Sequence, residues 1–197
     1  MTSVRTYAGA VIAAFSLVGS PAAEACGYHN PTNVSRGVLN WTYPNSLYVS
    51  TAVWMAQREG IIARADQSQA AQALLGYQRA VTLLGAFRER LAVALDGAPA
   101  PAFSLVFIRP MLWSRYEAVG TGVSMTAHLD GPALGDVVIV SDEPVIAGLI
   151  DGRLTPAVAR DLGLMRFYGA PERVHELVSW LDRLPVQSMT DAAKIGQ

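Results

Sequence analysis

The sequence predicts an α+β protein in which an N-terminal helical segment packs on a five-stranded, mainly antiparallel sheet with helices on one face. Apolar residues recur at helical spacing between residues 46 and 97. From Phe103 onward they alternate in short runs that are typical of strands. Helix-start signals return at Ser141, so helices and strands are mixed in the C-terminal half.

Residues 1–25 have the pattern of a cleaved secretory signal. Arg5 lies in a short n-region, an apolar run follows, and Ala23-Glu24-Ala25 supplies a small-x-small cleavage site. The apolar run is too short to span a bilayer, so we do not expect an integral membrane protein. These features predict export to the periplasm or out of the cell, with Cys26 as the first residue of the mature chain.

An irregular arm rich in Gly, Pro and Asn is predicted over 26–45. Cys26 is the only cysteine, so it cannot form an internal disulfide. With His29 and a free α-amine nearby, it is a candidate ligand for a soft metal such as Cu(I). Lipidation of the thiol, or a Cys that only marks processing, remains the alternative.

Two helices are predicted in the helical segment 46–97. Asn45 and Ser46 are suited to cap the first, which should run to about residue 63. Asp66 begins a longer amphipathic helix that should continue to about residue 95, where Asp96-Gly97 ends it.

An α+β domain is predicted over 98–186. Strand-like runs at 103–108, 112–119, 122–129 and 136–141 are separated by short turns, which indicates an antiparallel meander. Short helices near 143–151 and 156–161, a fifth strand at 164–169 and a closing helix at 171–184 should complete the domain, and 187–197 should be a loose tail.

The C-terminal block has a fixed order of short signals. They are Ser141-Asp142-Glu143, Asp151-Gly152-Arg153-Leu154, Ala157 to Ala159, Gly163-Leu164 and Gly169. This order, from about Leu105 to Trp180, resembles the sterol carrier protein 2 (SCP2-like) family of lipid-binding domains. The resemblance implies helices laid across one sheet face around an apolar tunnel for an acyl chain or a sterol.

Apolar side chains on the strands and short helices are the candidate lining of such a space. They are Leu105, Phe107, Trp113, Met125, Val138, Val145, Leu149 and Leu164, with Leu184 at the end of the closing helix. Both faces of the strands are represented, because the sequence does not give the register. Ordinary core packing remains the alternative for Trp113 and Met125.

Composition and motifs disfavour several classes of function. The net charge is −1 and charged residues are 16% of the chain, so no basic field is available to hold nucleic acid. No nucleophile motif, phosphate-binding Gly loop or pair of His at metal-ligand spacing occurs, so we expect neither an enzyme nor a cofactor. The prediction is an exported protein that binds or carries an apolar ligand, such as a lipid. The alternatives are a periplasmic metal-binding protein, or an accessory protein whose helices 47–63 and 67–95 dock an exported partner enzyme.

Overall fold

The computed structural model describes residues 35–64, 73–95 and 101–185. The predicted signal peptide, Cys26, His29 and the predicted C-terminal tail lie outside the described residues. Within the described ranges the protein is α+β, as the sequence predicts, with a five-stranded sheet.

The N-terminal part is helical from an earlier point than the sequence indicates. The helices are α1 (Ser35–Thr42), α2 (Tyr48–Arg58) and α3 (Ala73–Leu95). Helix α1 lies inside the predicted irregular arm 26–45. The prediction of irregular structure is therefore wrong for residues 35–42. Neither Asn45 nor Ser46 caps α2; the Leu47 amide instead donates to Asn40 Oδ1 at 3.4 Å. A side chain from the preceding helix thus partly replaces the local cap.

The predicted strands and short helices of the C-terminal part are present with small changes of boundary. The strands are β1 (Phe103–Phe107), β2 (Leu112–Val119), β3 (Gly122–Leu129), β4 (Val137–Ser141) and β5 (Arg166–Tyr168). The helices are α4 (Glu143–Ile150), α5 (Pro156–Asp161) and α6 (Pro171–Leu181). Asp142 caps α4 by accepting from the Glu143 amide, and Thr155 caps α5 by accepting from the Val158 amide. The cap signals were therefore sufficient to locate both helix starts.

The sheet is mixed, with strand order β3-β2-β1-β4-β5, and the predicted antiparallel meander is wrong at β4. Strand β4 pairs in parallel with β1, and the chain reaches it by crossing the sheet after β3. Every residue of β4 is buried, so the strand requires neighbours on both sides and cover on both faces. Ser104 helps to hold the crossing segment, since its Oγ donates to Asp136 Oδ2 at 2.8 Å.

One face of the sheet, which we call the first face, packs against α3 and α6. The register pairs Phe103 with Tyr116, so the two side chains point to this face and stack at 4.9 Å between ring centroids. Phe87 of α3 meets Tyr116 edge-on, and Trp180 of α6 contacts Phe103. The Tyr116 hydroxyl donates to the Leu84 carbonyl at 3.1 Å. This is the centre of the core.

The opposite, second face is covered partly by the N-terminal segment. Tyr43, between α1 and α2, lies 5.2 Å from Tyr168 and 6.2 Å from Trp113, measured between ring centroids. The Tyr168 hydroxyl also donates to the Pro44 carbonyl at 2.9 Å. The loop between α1 and α2 therefore covers part of the second face, whereas α3 and α6 cover the first.

Candidate functional site

The structure separates the side chains that the sequence offered as one lining. Alternation along β1 places Leu105 and Phe107 on the first face, and the pairing of Tyr116 with Met125 places Met125 there too. Trp113 and Val138 point to the second face. No single space between these described residues can therefore be lined by the whole set.

These residues also pack as core. Buried members of the predicted set are Leu105, Phe107, Trp113, Val138, Val145, Leu149, Leu164 and Leu184. Met125 is partly buried and packs against the same cluster. None of them lines either of the two clefts described below. Trp113 and Met125 therefore pack in the core, as the alternative interpretation expects.

An open groove of about 280 Å³ lies between α2 and the segment that joins α5 to β5. Its lining consists of Tyr48, Thr51, Ala52, Met55, Ala56, Glu59, Ile61, Leu162, Gly163 and Arg166. Most of these side chains are apolar or present aromatic and methyl surface. The groove is therefore suited to hold an apolar group.

The local sequence explains why the groove forms at α2. The helix buries Val49 and Val53 against the core, so the neighbouring positions Tyr48 and Met55 stay at the rim, where they are 63% and 48% exposed. Across the groove, Gly163 ends α5 with a positive φ of 70°, a conformation that glycine adopts without strain. The turn thus brings the α5–β5 segment back along α2.

Arg166 is the cationic group at the groove. It lies on β5 opposite Val140, and it lines both the groove and an adjoining cleft of about 360 Å³ that also contains Asp161. Its Nε is buried and has no hydrogen-bond partner among the described residues. Arg160 differs, because its guanidinium is bound by both carboxylate oxygens of Asp182, at 2.8 and 3.0 Å.

Two further polar groups are perturbed by burial near the ends of the sheet. Burial raises the pKa of Asp142 to about 6, although Arg109 and the Glu143 amide both favour its ionised form. Burial also raises the pKa of Tyr168, and the positive charge of Arg166 opposes that rise. Arg166 and Tyr168 lie two residues apart on β5, opposite Val140 and Val138, so their side chains share one face of the sheet.

Metal ligation has no support in the part of the chain that the structure describes. No group of three or more His, Cys, Asp or Glu side chains suited to a metal ion occurs there. The predicted ligands Cys26 and His29 lie outside it. Of the helices in the described ranges, none combines the length and the apolar character that crossing a membrane requires.

No protein-family model, curated protein or solved structure matches this chain.

The residues of the groove were not among those that the sequence analysis selected. The sequence predicts the α2 helix and offers its surface only for docking a partner protein, and it places Arg166 only in a strand. The available signal was a single Arg in the otherwise apolar run LMRFYG at 164–169. A charged residue in such a short, half-buried strand must be either paired or placed at a functional surface.

Proposed function

We propose that this protein is an exported, non-enzymatic protein that binds an apolar ligand in the groove between α2 and the α5–β5 segment. The observation that carries the proposal is the apolar lining of this groove, to which Tyr48, Met55, Ile61 and Leu162 contribute. An SCP2-like relationship is part of the same proposal. The order β4, α4, α5, β5, α6 agrees with the order of elements that suggested the resemblance.

The ligand space differs from the one that the resemblance implied. The interior side chains around Leu105 and Val145 are fully buried, whereas the groove lies at the surface beside α2. Its volume is near the lower limit of about 300 Å³ for ligand pockets, which favours a single slender chain over a fused ring system. A sterol is therefore a less suitable ligand than an acyl chain.

The expected affinity is modest. Burying about 150 Å² of apolar surface gains roughly 4 kcal/mol at about 25 cal/mol per Å², before the losses of association are subtracted. A dissociation constant of about 1 mM is therefore the tightest that apolar contacts alone can give, and the losses of association weaken it further. Tighter binding requires a further interaction at the same site.

A titration of the full chain with 1-decanol, followed by amide chemical shifts, tests the proposal. The shifts should be concentrated on α2, Ile61 and the 162–166 segment. Thr51→Trp should weaken binding strongly, because Thr51 is an exposed residue on the rim and the larger side chain would fill the groove. Ser179→Trp is the matched control, since Ser179 is an exposed α6 residue that does not line the groove.

Shifts spread over the whole protein, or equal binding by both variants, would remove the groove as the binding site. Saturable amide shifts confined to the first-face residues around Leu105 would instead show that the ligand binds in the interior of the fold.

A second candidate function is docking of an exported partner protein through the surface of α1 and α2. Trp41 is 89% exposed and Trp54 is 54% exposed, which is unusual for side chains of this size. Exposed tryptophans of this kind are frequent at the centres of protein interfaces. If this function is correct, a stoichiometric partner purified with the protein from its host should be lost in Trp41→Ser and kept in Arg183→Gln.

A further inference from the structure

We propose that the ligand of the α2 groove is a single-chain fatty acid whose carboxylate pairs with Arg166. This inference rests on the proposed function, because it names the class of ligand for the same groove. The apolar lining does not explain why Arg166, a cation with a buried and unpartnered Nε, lies beside the groove. A guanidinium beside an apolar groove, with no counter-ion among the described residues, is suited to an amphiphile that is apolar along its chain and anionic at its head.

The first step is the state of Arg166 in the protein. No ion pair joins its guanidinium to any carboxylate among the described residues, and its buried Nε has no acceptor there. A buried Nε–H group without an acceptor is unfavourable, because its desolvation is not compensated. A planar carboxylate is the acceptor whose geometry best matches the planar guanidinium.

The second step is the placement of Arg166 relative to the apolar surface. The same side chain lines the apolar groove with Met55 and Leu162 and the more polar cleft with Asp161 and Tyr168. It therefore lies where the apolar surface ends and the polar surface begins. A chain lying along α2 would bring its head group to this boundary.

The third step concerns the acids that compete for Arg166. Glu59 lines the groove and Asp161 lines the adjoining cleft, and both are exposed. Neither forms an ion pair with Arg166 within the described structure, so the guanidinium is available to a ligand. Their charges oppose an anion, however, and removing the Glu59 charge should strengthen carboxylate binding.

Calorimetric titrations of the full chain at about pH 8, where fatty acids are ionised, with decanoate, 1-decanol and decyl phosphate test the inference. Wild-type protein should bind decanoate about tenfold or more tightly than 1-decanol, the ratio expected for one charge-assisted hydrogen-bonded pair. Arg166→Gln should abolish this preference and leave 1-decanol binding unchanged. Arg166→Lys should keep only part of it, because lysine lacks the planar fork. Arg183→Gln, an exposed arginine outside the groove, should behave as wild type.

The outcomes separate the two proposals. Equal binding of decanoate and 1-decanol by the wild type, with Arg166→Gln unchanged for both, would overturn the carboxylate assignment and leave the apolar groove intact. Decyl phosphate bound more tightly than decanoate would overturn it in favour of a phosphate head group. Absence of binding by all three ligands would reject the apolar-ligand function itself. Retained 1-decanol binding by Arg166→Gln shows that this variant is folded.

Discussion

Asp142 gives the sharpest prediction about how the stability of this fold depends on pH. Its side chain is fully buried at the end of β4, where it caps α4 and pairs with Arg109, which is 40% exposed. Burial raises the pKa of the carboxyl from the ordinary 3.8 to about 6. The folded protein therefore binds this proton more tightly than the unfolded chain does.

The sign and the magnitude follow from proton linkage. A raised pKa in the folded state gives stability that is fully present below pH 3.8 and is lost as the pH rises through about 6. Each tenfold change in proton affinity corresponds to about 1.4 kcal/mol, so the loss amounts to about 3 kcal/mol. Asp142→Asn removes the titration and keeps an oxygen that can accept from the Glu143 amide.

Urea unfolding of the wild type and Asp142→Asn, measured from about pH 4 to about pH 7, provides the test. Subtracting the free energy of unfolding of the variant from that of the wild type cancels the contributions of all titrating groups that the two proteins share. The pH dependence of the difference then reports Asp142 alone. Relative to the variant, the wild type should lose a little over 2 kcal/mol across this interval, about three quarters of the full effect, because pH 4 already lies just above the unfolded pKa of 3.8. A constant difference, or a wild type that gains stability as the pH rises, would refute the reasoning and mean that Arg109 keeps the buried carboxylate ionised.

Two more predictions concern the packing of the core and the turn beside the groove. Tyr116→Phe should lower the free energy of unfolding by about 1–2 kcal/mol, because it removes the buried hydrogen bond to the Leu84 carbonyl. Chemical denaturation measures this change. An unchanged free energy of unfolding would show that the hydrogen bond makes no net contribution. Gly163→Ala should cost about 1 kcal/mol or more because φ is +70° there, whereas Gly85→Ala in the middle of α3, where an added Cβ meets no atom within 4 Å, should stabilise by about 0.5–1 kcal/mol. Thermal unfolding of both variants would contradict this if the two changes had the same sign.

The elements of the fold were largely readable from local signals. Asp142 and Thr155 marked helix starts because a side-chain oxygen in front of a helix satisfies its free amides. Gly152 and Gly163 marked helix ends, and both adopt positive φ values, 68° and 70°. Such signals act over a few residues, so they survive in any tertiary arrangement.

The order of the strands and the place of the groove were not readable in the same way. The sequence of β4 shows that it is apolar on both faces, but it does not show which strand will be its neighbour. The sequence predicts a short turn between the runs 122–129 and 136–141, whereas in the structure this segment crosses the sheet and Ala133 and Asp136 bond to Ser104. The groove likewise depends on how α2 meets the α5–β5 turn, a contact between segments distant in sequence. Arg166 becomes part of a binding surface only because of that contact.

The central parallel pair of β1 and β4 has a consequence for the order in which the protein can be made. While the chain is being synthesised, β1, β2 and β3 can associate as soon as they emerge, but the second edge of β1 stays open until β4 has followed. Every residue of β1 is buried in the finished fold and all but Ser104 are apolar, and an open edge of this kind readily pairs with another chain. Completion of β4 is therefore the step at which a nascent chain ceases to be prone to aggregation, and chains truncated within the crossing segment at 130–136 should accumulate as insoluble protein.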